Sequence, residues 1–122
     1  MPKRILIVDN AAEYRDLLRD ISVALGYEAL IADRATEAWG ILQRESISLM
    51  LLDIKIPSMH GDDFIRYIRK KDTHVPIIVI SGYLTPKILK VLLENKVRKV
   101  VTKPFKIKRI ASEISNVMQG EA

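Results

Sequence analysis

Cysteine is absent from the 122 residues, which excludes disulfides, thiolate metal sites and thiol nucleophiles. Aromatic residues make up only 6% of the chain, with a single tryptophan, and they do not interleave with basic residues in the manner of an RNA-stacking surface. The two histidines, His60 and His74, lie in polar stretches with no second ligand at metal spacing. No apolar run exceeds about six residues, against the ~20 a membrane-crossing helix requires. The opening MPKRILIVDN has four apolar residues before its first acid, too few for the apolar core of a secretory signal. Neither GxGxxG nor a Walker A run occurs, so the usual loops for dinucleotides and nucleoside triphosphates are missing. A cytoplasmic protein with no membrane contact is expected.

What is present is an ordinary globular composition, 48% apolar and 29% charged, in a length that suits one domain over residues 1–122. The net charge of +5 is unevenly spread: residues 85–111 carry nine Lys/Arg against Glu94 alone. Solvated lysines on two helices explain this most simply; a docking face for an acidic protein partner is the sharper reading. Direct nucleic-acid binding is not expected, since no zinc ligand set or duplicated basic helix accompanies the charge.

Short apolar runs alternate with amphipathic stretches. Strands are expected at Arg4–Val8, Glu28–Ala32, Leu49–Leu52, Pro76–Ile80 and Lys99–Thr102. Between them, helical spacing puts Tyr14, Leu17, Leu18, Ile21 and Leu25 on one face, closed by Gly26. Ala35, Ala38, Trp39 and Leu42 make a second face, with Trp39 expected in the core. Phe64, Ile65 and Ile68 make a third, opened by Asp62 and Asp63, acids that suit a helix start. Thr85-Pro86 reads as an N-cap and first-turn proline ahead of Ile88, Val91 and Leu92. Ile107, Ile110, Ile114 and Val117 line the last helix. This alternation predicts an α/β doubly wound parallel sheet with helices on both faces. The second strand, less apolar than the others, is expected at an edge.

In such sheets ligands bind at the carboxyl ends of the strands. Those ends carry Asp9-Asn10, Asp53, Ser81-Gly82-Tyr83 and Lys103-Pro104-Phe105. Taken singly, an Asp after a strand is a helix cap, Ser81-Gly82 a turn, and Lys103 a surface lysine. Together, at matching strand ends, they make one site. Two carboxylates and an amide oxygen are hard ligands for Mg²⁺, while an ammonium and a hydroxyl suit phosphate oxygens. A carboxylate there can also serve as nucleophile and become an acyl phosphate.

On the stretches ILIVDN, LMLLDIKIPSMHG, VPIIVISGY and VVTKPF, the chain resembles a response-regulator receiver domain of two-component signalling, over essentially its whole length. The resemblance implies a flavodoxin-like strand order 2-1-3-4-5 and a single-domain signalling switch. It matches Asp53 to the acceptor of a phosphoryl group from a phosphohistidine, Ser81 to the hydroxyl that moves toward that group, and Lys103 to the lysine that pairs with it. Asp9, Asn10, Asp53 and the backbone carbonyl of Lys55 match the Mg²⁺ shell, and Lys103-Pro104 matches a peptide bond that is usually cis. The implied partners are a sensor histidine kinase or histidine phosphotransfer protein and a downstream protein target on the basic 85–111 face. The expected state is a monomer or weak homodimer that catalyses only its own phosphorylation and dephosphorylation. With only 17 residues after Phe105, no output domain is expected within this chain; signalling then passes by protein–protein contact, or the chain is a piece of a longer protein.

Three positions depart from the family pattern. Asn10 stands where a second acid usually contacts the metal, which predicts weaker Mg²⁺ binding rather than its loss. Lys55 occupies a position that varies in the family and tunes water access to the acyl phosphate; its side chain either supplies positive charge near the phosphoryl group or points to solvent, and the second is expected. Val100 stands where many relatives carry Tyr or Phe that swings inward, and a β-branched side chain has no ring to swing. Asn10 and Val100 therefore support an alternative, a receiver-like docking module with weak or no phosphorylation. A small-molecule enzyme has little support: DIKIP has Lys55 where the DxD pair of haloacid-dehalogenase-type phosphatases needs its second acid.

Overall fold

The computed structural model describes residues 2–120. Five strands, β1 (Arg4–Val8), β2 (Glu28–Ala32), β3 (Leu49–Leu52), β4 (Ile77–Ser81) and β5 (Lys99–Thr102), form one parallel sheet in the order β2-β1-β3-β4-β5. Five helices alternate with them: α1 (Ala12–Ala24), α2 (Ala35–Arg44), α3 (Gly61–Lys70), α4 (Pro86–Glu94) and α5 (Ile107–Met118). This is the doubly wound order, with β2 at the edge as its weaker apolar pattern predicts. The β4 boundaries lie one residue later than expected, which makes Ser81 the last residue of the strand rather than the first of the loop.

Two-residue periodicity divides the apolar strand side chains between two cores. Leu6, Val8, Met50, Leu52 and Val79 face one side, where α2, α3 and α4 cover them with Ala38, Ile65 and Ile88. Ile5, Ile7, Leu51 and Ile80 face the other, under Leu18, Ile21, Ile110 and Ile114 of α1 and α5. Strands buried on both faces must be apolar at every position, and β1, β3 and β4 almost are.

Local signals fix the helix ends. Thr85 caps α4, its side chain accepting from the Ile88 N–H at 3.1 Å, and Pro86 opens the first turn. Gly26 follows α1 at φ 96°, a left-handed position glycine adopts without a Cβ clash. At the start of α5 Ile107 is 57% exposed, whereas Ile110 and Ile114 farther along the helix are buried. Trp39, expected in the core, packs against it while half-buried, its ring edge-on to Tyr67 at 5.4 Å.

Candidate functional site

The backbone ladder itself delivers the rim residues. The Asp9 N–H donates to the Ala32 carbonyl at 3.1 Å, the Asp53 N–H to Val8 at 3.0 Å, and the Lys103 N–H to Ser81 at 3.1 Å. Each of the three therefore sits one rung past a strand, at the carboxyl edge where the strand order reverses between β1 and β3.

Their side chains meet. Lys103 Nζ lies 2.6 Å from Asp9 Oδ2 and 2.9 Å from Asp53 Oδ2, bridging residues that are 94 and 50 positions away in the chain. These are short, charge-assisted bonds, and all three side chains are largely shielded, at 12%, 2% and 9% exposure for Lys103, Asp9 and Asp53. The second oxygen of each carboxylate is held by backbone: Asp9 Oδ1 accepts from the Ala11 N–H at 2.9 Å and Asp53 Oδ1 from the Lys55 N–H at 3.3 Å. Asp9 thus closes an Asx-type turn ahead of α1, on the N–H of the N-cap residue Ala11, and is also a member of the site. Burial pushes the Lys103 ammonium down, but its bonds to Asp9 and Asp53 outweigh that and hold its pKa above the ordinary lysine value.

Ser81 is buried, and its Oγ accepts from the Tyr83 N–H at 3.1 Å and donates to the Tyr83 carbonyl at 3.4 Å. It lies on the same rim but outside the Lys103–Asp9–Asp53 cluster. Asn10 is exposed in the bend between β1 and α1. Lys55, also exposed, does not simply point to solvent: its Nζ lies 4.2 Å from the centre of the Tyr83 ring. Val100 packs half-buried against the core that holds Ile88 and Leu92. The Lys103–Pro104 peptide is cis.

Three further residues shape the site without having been singled out in the sequence. The Arg15 guanidinium donates to the Asp9 carbonyl at 2.9 Å, tying α1 to the first loop. The Tyr14 ring centre lies 4.0 Å from Lys103 Nζ. Tyr14 reads as part of an apolar helix face, so nothing local sets it apart. Gly61 is pressed under the loop that follows β3: a Cβ there would lie 2.8 Å from the Asp53 carbonyl oxygen and 2.8 Å from Ile54 Cα. Nothing local sets Gly61 apart either, since glycine is well tolerated at a helix start.

The model of the response regulator receiver domain matches residues 5–115.

The chain belongs to the response regulator receiver domain family.

Among its relatives, the chemotaxis protein CheY of Thermotoga maritima is 33% identical over 120 residues, covering 96% of this chain and 98% of that protein. The sensor histidine kinase TmoS of Ectopseudomonas mendocina is 27% identical over 117 residues, and there the chain spans only 12% of the relative's length. A CheY-like receiver domain protein from Methanospirillum hungatei superposes with a TM-score of 0.92 at 27% identity, over 99% of this chain and 97% of that one. Receiver domains of two-component systems interact with histidine kinases and with downstream targets.

Magnesium ions favour hard oxygen ligands, and the donor set on this rim is entirely of that kind. Among the described residues no three His, Cys, Asp or Glu side chains are grouped closely enough to hold a metal ion. An ion at this receiver site would therefore rely on the Asn10 amide oxygen and backbone carbonyl beside the Asp9 and Asp53 carboxylates.

Proposed function

We propose that this receiver domain is a phosphorylation-dependent switch with Asp53 as the acceptor, and the observation that carries the reading is the Lys103 bridge between Asp9 and Asp53. An Asp53 oxygen lone pair forms the new O–P bond as the phosphohistidine P–N bond breaks, and the bond's electron pair returns to the imidazole. Lys103 already touches that carboxylate, so it follows the charge onto the phosphoryl oxygens without crossing the pocket. Asp9 keeps it oriented. The Ser81 hydroxyl exchanges its Tyr83 backbone partners for a phosphoryl oxygen. Asp9, Asn10, Asp53 and the Lys55 carbonyl would hold Mg²⁺, which when bound would supply positive charge against the developing phosphoryl charge. The domain acts on no separate substrate and catalyses only its own phosphorylation and dephosphorylation.

The donor is a sensor histidine kinase or a histidine phosphotransfer protein, and the output face is the α4–β5–α5 surface. Of the basic residues there, Lys103 is committed to the site, while Lys99 and Arg109 pair with Glu113. Lys87, Lys90, Lys96, Arg98, Lys106 and Lys108 remain exposed, with Leu93 and Ile107 among them. Such a face suits an acidic protein segment with apolar anchors.

A second reading, a docking module that takes little or no phosphoryl group, is favoured by Asn10 and by the ringless Val100. Phosphorus NMR of the protein with acetyl phosphate separates the two. A switch gives an acyl-phosphate resonance that builds up with Mg²⁺ and is suppressed by EDTA; a docking module gives none at saturating donor.

A further inference from the structure

The Lys103 ammonium has three N–H groups, and the two carboxylates take two of them. The remaining side of the nitrogen is covered by an aromatic face: the Tyr14 ring centre is 4.0 Å away. Tyr14 comes from the first turns of α1 and is half-buried. Its ring is fixed in turn by Phe105, two residues past Lys103, with ring centres 5.7 Å apart at 49°. A lysine on a flexible four-carbon stem is otherwise free to swing its head into water, and a ring face offers the cation an attraction that costs it no hydrogen-bond donor.

We infer that Tyr14 is a positioning residue for phosphoryl acceptance, its ring holding the Lys103 ammonium against Asp9 and Asp53. The inference rests on Asp53 being the acceptor. It assigns the effect to the aromatic face and not to the hydroxyl, so Tyr14→Phe keeps it and Tyr14→Leu loses it. Tyr14→Met, whose flexible unbranched side chain adapts to the gap without a ring, loses it as well and guards against a packing defect in the leucine variant.

Two readouts on the same four proteins test this, with far-UV circular dichroism and amide spectra to establish folding. The first is the carbon–proton spectrum of the lysine ε-methylenes, assigned with Lys103→Met. In the wild type and Tyr14→Phe the Lys103 signal lies upfield of the other lysines through the ring current; in the leucine and methionine variants it joins them. The second is the phosphorylation rate with acetyl phosphate, which falls about fivefold without the ring, equivalent to about 1 kcal/mol, and changes less than about twofold in Tyr14→Phe. Wild-type rates in both ringless variants overturn the inference and leave the switch intact. A Tyr14→Phe protein as slow as Tyr14→Leu overturns it in favour of the hydroxyl. If the wild type shows the upfield lysine but accepts no phosphoryl group, the switch reading itself falls and Tyr14 is reduced to a structural contact.

Discussion

Asp9 and Asp53 end adjacent strands at 1% and 8% exposure, and two carboxylates so placed repel each other unless a cation stands between them. Lys103 is that cation. Replacing it with methionine leaves both charges shielded and uncompensated, and should cost about 3 kcal/mol of stability at neutral pH. The alkaline limit has a definite sign. Because the Lys103 pKa is raised on folding, its contribution is complete below the unfolded lysine value of about 10.4 and is lost as pH climbs through the higher folded value. Urea unfolding at pH 8 and pH 11 should show the gap between wild type and Lys103→Met narrowing; a constant gap would mean that the stabilisation does not come from the charge on Lys103. Asn10 is the other informative residue. Asn10→Asp restores a formal charge to the rim and should tighten Mg²⁺ roughly tenfold, or about 1.4 kcal/mol, in a titration followed by amide shifts. Equal affinity in the two proteins would show that position 10 contributes no ligand charge.

At the level of elements, the acceptor loop is held from below by the start of α3. The Gly61 N–H donates to the Ile54 carbonyl at 2.7 Å, and there is no room for a methyl group between the two segments. Gly61→Ala should therefore destabilise the fold by about 1–3 kcal/mol and move the amide resonances of Asp53, Ile54 and Lys55, whereas unchanged resonances there would show that α3 does not support the loop. Most of the elements were legible in the sequence because their signals are local. ILIV, LMLL and IIVI are too apolar for anything but strands covered on both faces, and Thr85-Pro86 carries its own cap chemistry. The polar strand ends were legible for the same reason: charge stops each run abruptly at Asp9, Asp53 and Lys103. What escaped is contact between segments remote in the chain. Helical spacing places Tyr14 on the inward stripe of α1 but cannot say that a lysine from β5 reaches it, and it cannot show that Lys55 has an aromatic neighbour in Tyr83.

Across the whole molecule, the site and the basic surface lie on connected structure, since β5 carries Lys103 at its end and the exposed lysines of α4 and α5 flank it. A switch needs the state of Asp53 to be felt on that surface. Val100 supplies no ring to carry the change, so the expectation is a shift passed through Lys103 and the β5–α5 loop. In amide spectra recorded with acetyl phosphate and Mg²⁺, residues of 85–111 away from the rim should move along with the strand-end loops. Changes confined to those loops would mean that phosphorylation and the basic face are uncoupled. The most direct measurement is intact-mass spectrometry of the wild type and Asp53→Asn after incubation with acetyl phosphate and Mg²⁺. The expected result is a single phosphoryl adduct on the wild type and none on Asp53→Asn. A folded wild type that stays unmodified at saturating donor, or an adduct that survives in Asp53→Asn, would contradict the assignment of Asp53 as acceptor.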